Sequence, residues 1–217
     1  MSSTRTKLAI LPMFFTFFAI GCTGQTFDVG GFPAGDGGDA GSTTSDDGGT
    51  TTTPDGGVTN VIDPIALNNS WTYDIVVAGT YPTCSTGSGS ATVTKHETIA
   101  GKDAFFVTSF CSGIKGFDYS AEGDRVYEYD GTNWITALDT PVAADHTWTS
   151  ATETFVWKKA PDFANAGLNF SDCWEVDDQA YPDYYAVTFC RGVGPVQWHV
   201  RDASSNGYDA KLTHKSF

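Results

Sequence analysis

Positive charge is in short supply along this chain: 12 Lys and Arg stand against 26 Asp and Glu, a formal net charge of −14 over 217 residues. A surface of that sign repels phosphate backbones, which argues against nucleic acid as a partner. Long apolar runs are scarce too. The one that stands out, Leu8 to Ile20, reaches only about 20 Å at helical rise, short of a hydrocarbon core roughly 30 Å thick, so it is not expected to span a membrane. Catalytic motifs are missing as well. No Gly-x-Ser-x-Gly elbow raises a nucleophile on a strand-to-helix turn, and Gly87-Ser88-Gly89-Ser90 has the wrong order, reading instead as a flexible loop beside Cys84. His96, His146, His199 and His214 are scattered without a His-x-x-x-His pair. Each reads as a lone surface histidine, and no metal site or cofactor is expected.

What is present begins at the start of the chain. Arg5 and Lys7 precede the apolar run with no acid among them, the pattern of a charged n-region and an h-region in an export signal. The run ends at Ala19-Ile20-Gly21-Cys22, which resembles the lipobox of bacterial lipoproteins. That resemblance implies a signal peptide over 1–21, cleavage before Cys22, and acyl chains on Cys22 as the membrane attachment, where several chains hold far better than one. Thr23 stands where an Asp would favour inner-membrane retention, so the expected address is the cell envelope, at the outer membrane. Without its signal the chain keeps 10 basic and 26 acidic residues, a net charge of −16. Such a chain gains no electrostatic help toward anionic headgroups, which leaves the anchoring to the lipid.

Cysteine usage agrees with export. If Cys22 carries the lipid, Cys84, Cys111, Cys173 and Cys190 remain as an even set able to form two disulfides outside the cytosol. Cys173 and Cys190 lie symmetrically about Tyr181-Pro182, the expected tip of a hairpin, so they can face each other across adjacent strands. Cys84 with Cys111 follows by elimination.

Residues 22–60 read as a linker of Gly, Asp, Thr and Ser, with Asp28, Asp36, Asp39, Asp46, Asp47 and Asp55 and no base. A segment so poor in apolar residues cannot repay its ordering entropy by burial. As a flexible chain it spans roughly 35 Å. Its Asp-Gly clusters match no calcium-loop spacing and read as a solvated leash.

From residue 61 to residue 217 the composition turns apolar and aromatic, with period-2 runs punctuated by Gly, Asn, Asp or Pro. A single domain of this size buries enough surface for its own core. Trp71, Tyr73, Ile75 and Val77 share one face of a first strand, and further strands are expected near 90–99, 103–110, 125–130, 133–138, 146–157, 170–177, 184–190, 196–201 and 208–213. Short turns such as Ala100-Gly101-Lys102-Asp103 and Asp130-Gly131-Thr132-Asn133 imply an antiparallel meander. One short helix is expected around Pro161 to Ala166. The fold class is mainly β, either a curved antiparallel sheet (a half-open β-barrel) or a β-sandwich.

Two segments echo each other: Pro64-Ile65-Ala66-Leu67-Asn68-Asn69-Ser70-Trp71-Thr72 and Pro141-Val142-Ala143-Ala144-Asp145-His146-Thr147-Trp148-Thr149. Each sets Pro, an apolar residue and Ala at one distance from a Trp-Thr that would open a strand. These segments, with Phe170-Ser171-Asp172-Cys173-Trp174-Glu175-Val176 and Tyr184-Tyr185 ahead of Gly192-Val193-Gly194-Pro195-Val196, resemble a large group of bacterial lipoproteins. Those carry a Pro-Leu-x-x-Gly-x-x-Trp-x-Tyr opening and a late Gly-Val-Gly. The resemblance implies the half-open β-barrel of lipoprotein localisation factors, with an apolar concave face. Asn68 and Asp145 occupy the positions where that group has Gly. The resemblance carries no activity with it, because fold alone supplies none.

Two constellations remain. Asp118, Glu122, Asp124, Glu128 and Asp130 form an acidic cluster of the kind that in other contexts serves glycoside hydrolysis, yet the alternation from Arg125 to Asp130 predicts a solvated strand face. Trp71, Trp134, Trp148, Trp157, Trp174 and Trp198, with nine Tyr and nine Phe in the domain, are expected mostly to fill the core and to leave a minority for a groove. The reading is a non-enzymatic envelope lipoprotein with no catalytic residue assigned, whose domain binds an apolar ligand or a protein partner or acts as a scaffold. Carbohydrate recognition by exposed aromatics is the rival, and a hydrolytic enzyme a more distant one.

Overall fold

The computed structural model describes residues 60–217 apart from Pro182. The signal segment, Cys22 and all but the last residue of the linker lie outside the described residues.

Within them the chain forms fourteen strands and no helix. Six make a first meander: β1 (Ser70–Ala78), β2 (Gly87–Ile99), β3 (Lys102–Thr108), β4 (Gly116–Glu122), β5 (Arg125–Tyr129) and β6 (Trp134–Leu138). Six more make a second: β7 (Thr147–Ser150), β8 (Glu153–Lys159), β11 (Cys173–Asp178), β12 (Tyr185–Cys190), β13 (Gly194–Arg201) and β14 (Gly207–Lys215). The hairpin of β9 (Phe163–Asn165) and β10 (Leu168–Phe170) is inserted between β8 and β11. All pairings are antiparallel, and β1 pairs with β14 to join the two meanders into one twelve-stranded sheet, with β6 at one edge and β7 at the other. The sheet curls until it is nearly closed and barrel-shaped, the curved form among the two architectures expected.

Side chains close the seam that backbone pairing leaves open. Val126 and Leu138, near one edge, bury in the same cluster as Trp148, Phe155 and Trp157 from the other. The Trp157 indole donates to the Asp139 carbonyl at 2.8 Å, and the Asp139 carboxylate receives Arg125 Nε at 2.7 Å and faces His146 Nε2 at 3.2 Å. Burying both edges in shared apolar contact also blunts their tendency to pair with another chain.

The sequence echo is a structural one. Asn68 and Asp145, three residues ahead of Trp71 and Trp148, both take left-handed backbone at φ 70° and 65°. Each then makes the same pair of bonds to the next strand. Asn68 N–H donates to Val93 O and Val93 N–H to Asn69 O, at 3.0 and 2.9 Å. Asp145 N–H donates to Trp157 O and Trp157 N–H to His146 O, both at 2.9 Å. Asn and Asp are the side chains that tolerate this conformation best after Gly.

Several expectations change. The segment 161–166 is not helical: Phe163 opens β9, because its ring stacks on Phe170 across a hairpin turned by Ala166 and Gly167 at positive φ. The run 146–157 is two strands, broken where Ala151 turns left-handed. β4 went unforeseen, although Gly116-Phe117-Asp118-Tyr119-Ser120-Ala121-Glu122 alternates, with Phe117, Tyr119 and Ala121 on one face and Asp118, Ser120 and Glu122 on the other. Gly87-Ser88-Gly89-Ser90 is no loop but the start of β2, paired with β1. Gly89 is needed there, because a Cβ would lie 2.2 Å from the Phe110 carbonyl oxygen.

Both disulfides form as expected. Cys173 and Cys190 are opposite each other on β11 and β12, with Cα atoms 4.0 Å apart, and Cys84 bonds Cys111 across 27 residues. Antiparallel alternation places them at opposite ends of the barrel. One end holds the entry to β1, the β4–β5, β6–β7 and β12–β13 turns and Cys173–Cys190. The other holds the β1–β2, β3–β4, β7–β8, β11–β12 and β13–β14 turns and Cys84–Cys111.

Candidate functional site

The entry end is sealed. Ile62, with no exposed surface, plugs the interior beside Val126, Leu138 and Trp157. Arg191 in the β12–β13 turn holds that plug in place. Its Nη1 reaches Asp124 Oδ1 and Oδ2 at 2.8 and 2.9 Å and the Asn60 carbonyl at 2.9 Å, while its Nε reaches Asp172 at 3.1 Å. Ile62 N–H donates to the same Asp124 at 2.8 Å, and Gly192 N–H to Val61 O at 2.7 Å.

On the β1, β13 and β14 side the interior is packed. Tyr73, Trp198 and Tyr208 meet Phe110, which reaches in from the β3–β4 loop at ring distances of 4.7, 5.5 and 5.7 Å. The Cys84–Cys111 bridge sits next to Phe110 in sequence and fixes this loop over the barrel's other end.

The β4–β5 and β8–β12 side is different. Val126 and Glu128 alternate onto the inner face of β5, and Glu128 stands opposite Tyr119 in register. The solvated-face expectation is therefore corrected: the alternation holds, but its aromatic Tyr127 turns outward, under Lys102, and its acid turns inward. Burial pushes the Glu128 carboxyl up to about 7, against a hydrogen bond from Tyr119 that favours the charged form. Tyr119 and Tyr185 are half-buried against the core cluster, and burial with the Glu128 charge raises both phenols. The charge of Glu153 also bears on Tyr185, and burial together with the Asp178 charge raises Glu153 to about 7. At the floor, burial raises Asp63 to about 7. Its Oδ1 is buried without a hydrogen-bond partner, close to Gly194 and the Trp71 indole.

Of these carboxyls and phenols, Glu153 and Asp178 reach the end opposite the plug. A depression of about 380 Å³ there is lined by Thr152, Glu153, Thr154, Asp178, Gln179, Ala180 and Tyr181. Tyr181, 44% exposed, stacks on Tyr184 at 5.6 Å between centroids. Asp178 Oδ1 shapes the rim by accepting the backbone N–H groups of Ala180 and Tyr181 at 2.8 and 3.2 Å.

The remaining acids of the sequence cluster separate into unrelated tasks. Glu122 pairs with Lys102, Asp124 with Arg191, Asp130 caps its own turn by accepting from Thr132 and Asn133 N–H, and Asp118 lies on the other face of β4 from Tyr119. The histidines part in the same way. His96 and His214 are exposed, whereas His146 and His199 are partly buried and face Asp139 and Asp209 at 3.2 and 2.6 Å. The surface expectation is thus corrected for these two. His199 Nε2 lies 3.3 Å from the Asp183 carbonyl, so no nucleophile stands where a catalytic histidine would serve it. Among the described residues no three His, Cys, Asp or Glu side chains converge as metal ligands.

Of the six Trp, Trp71, Trp148 and Trp157 are buried and Trp134, Trp174 and Trp198 half-buried. Sequence reading missed Asp63 and Glu153. Proline after Asp63 and the polar Thr152-Glu153-Thr154 around the latter both read as surface. Comparison with family models, with curated proteins and with solved structures finds no match to the chain.

Proposed function

We propose that this protein is an envelope lipoprotein, held at the outer membrane by acyl chains on Cys22, whose β domain is a non-enzymatic binding module for an apolar ligand. The observation that carries the binding reading is the asymmetry of the interior. One side is packed by Phe110 and its neighbours without a carboxyl among them, while on the other Tyr119 and Tyr185 pack half-buried against the second apolar cluster with the Glu128 carboxyl opposite Tyr119, and a depression lies at the rim beyond them. Ligand sites combine an apolar, aromatic lining with a few polar groups, and Tyr119, Tyr185 and Phe155 with Glu128 supply both kinds. Two half-cystines at each end suit an oxidising compartment, and the Ala19-Ile20-Gly21-Cys22 motif supplies the anchor. No Trp among the described residues is exposed, so a planar sugar platform has little support.

Native mass spectrometry of the full chain carrying Cys22→Ser, exported to the periplasm and purified without detergent, tests the binding reading. A co-purifying amphiphile that leaves on denaturation is the expected result. A bare chain that also takes up no added amphiphile contradicts it. Separately, mass analysis of the membrane-bound wild type is expected to find an acylated Cys22 at the N-terminus, and an unmodified N-terminus beyond Cys22 overturns the anchor.

A further inference from the structure

Resting on the lipid-anchor reading, we infer that the entry end of the barrel is a membrane-contact surface: it lies on a phospholipid bilayer, with Leu67 and Phe217 at the acyl boundary and Lys215 at the headgroup phosphates.

The apolar pair is the first argument. Exposed large apolar side chains are few among the described residues, and two of them, Leu67 at 49% and Phe217 at 41%, meet at this end. Phe217 is fixed there by its neighbour. Ser216 N–H donates to Ser70 O at 3.1 Å, Ser216 Oγ donates to Asn68 O at 3.4 Å, and Ser70 Oγ donates to Ser216 Oγ at 3.0 Å. These bonds set Phe217 beside the turn that carries Leu67, with its ring edge-on to Trp71 at 5.3 Å. Lys215 Nζ lies 4.1 Å from the centre of that ring and donates to Phe217 O at 2.7 Å. Apolar side chains held in water by a hydrogen-bonded frame, with polar groups around them, mark an interaction surface. A ring with an ammonium beside it suits the bilayer interface, where the ring enters the acyl boundary and the amine stays with the headgroups. The pairing recurs at this end, where Lys159 lies 4.5 Å over the half-buried Trp174 at the start of β11.

The attachment is the second argument. The chain leaves the barrel at this end, where Arg191 holds the Asn60 carbonyl at 2.9 Å. A lipid on Cys22 therefore draws this end toward the bilayer through a segment expected from its composition to span roughly 35 Å. Tethering makes the contact intramolecular, so a small patch suffices where it would not hold a free domain.

Charge is the third. At the entry end the bases pair with acids: Lys102 with Glu122, Arg125 with Asp139, Lys159 with Asp172 and Arg191 with Asp124. Lys215 is in no ion pair among the described residues and is left for a phosphate. At the opposite end Asp130, Asp178 and Asp202 accept only N–H groups of their own turns. That end repels an anionic surface, and the depression at its rim faces away from the bilayer.

The experiment uses the acylated full chain, in which the Cys22 thiol carries lipid and the other four cysteines are paired, with one environment-sensitive fluorophore on Leu67→Cys or, at the opposite end, on Ser204→Cys. Both positions are exposed, so neither label disturbs the core. In vesicles of phosphatidylethanolamine and phosphatidylglycerol the label at 67 is expected to shift to the blue and to lose its quenching by aqueous iodide, while the label at 204 keeps both unchanged. Phe217→Ser is expected to restore quenching at 67 while the acyl chains keep the protein on the vesicles. Labels equally quenched at the two positions, on vesicles that hold the acylated chain, overturn the contact and leave the anchor standing. An unmodified Cys22 in the membrane fraction overturns both.

Discussion

The barrel's two ends are built from the same alternation of turns, yet they are closed by different means. At the entry end a short segment crosses the opening, Ile62 fills the core, and one guanidinium ties that segment to two turns through Asp124 and Asp172. At the other end a disulfide-pinned loop lowers Phe110 into half of the interior, and the remaining half is filled by the Val126, Phe155, Trp157 and Val187 cluster, with Tyr119 and Tyr185 packed against it and Glu128 opposite Tyr119. Apolar burial and paired charge make the first end a structural floor. Acids without cations stand at both, Asp63 at the floor and Glu128 and Glu153 toward the other end, an arrangement that costs stability.

Substitutions sharpen that contrast. The largest effect is expected at the shared core: Trp157→Ala removes a fully buried indole and its bond to Asp139 and should lower stability by about 3–5 kcal/mol in denaturant titrations. Removing either disulfide by paired Cys→Ser changes should cost about 3 kcal/mol, because loops of 27 and 17 residues differ by only about 0.4 kcal/mol in closure entropy. The two losses diverge in their local consequences. Loss of Cys84–Cys111 should free Phe110 and alter the emission of Trp198, whereas loss of Cys173–Cys190 should not. Arg191→Ala should cost about 2 kcal/mol, with Arg191→Lys recovering less than half, since a single ammonium cannot serve two carboxylates and a carbonyl from one fork.

The smallest effect is the pH dependence that the buried acids of both ends confer. Glu128, Glu153 and Asp63 hold protons in the folded state up to about pH 7, whereas in the unfolded chain they lose them near pH 4. Between those values the native state binds more protons, so stability is greatest below about pH 4 to 5 as far as these groups decide it, and is lost as pH rises through 7. Glu128→Gln should remove about 1 kcal/mol of that decline, after allowance for its partial exposure. Denaturation midpoints at pH 5 and pH 8, compared between wild type and variant, measure it.

Much of the fold was legible in the sequence because period-2 patterning, turn chemistry and cysteine symmetry act locally. Ala100 and Gly101 turn the β2–β3 hairpin, and Cys173 faces Cys190 as the hairpin required. The paired Pro-to-Trp segments, read as entries that set a Trp at the head of a strand, share left-handed backbone at Asn68 and Asp145. The site was not legible, because which face of a strand points inward depends on closure. In Arg125-Val126-Tyr127-Glu128 the aromatic is a natural inward candidate, and only the approach of β6 to β7 decides for Val126 and Glu128. Glu153 and Asp63 join the same row from segments distant in sequence.

The Glu128 carboxyl stands inside the barrel without a cation, and carbon-detected NMR titration of the Glu side chains reads its state directly. One Glu signal that titrates near 7 and disappears in Glu128→Gln is the result this account predicts. A Glu128 that titrates with the surface glutamates, below about 5, contradicts it.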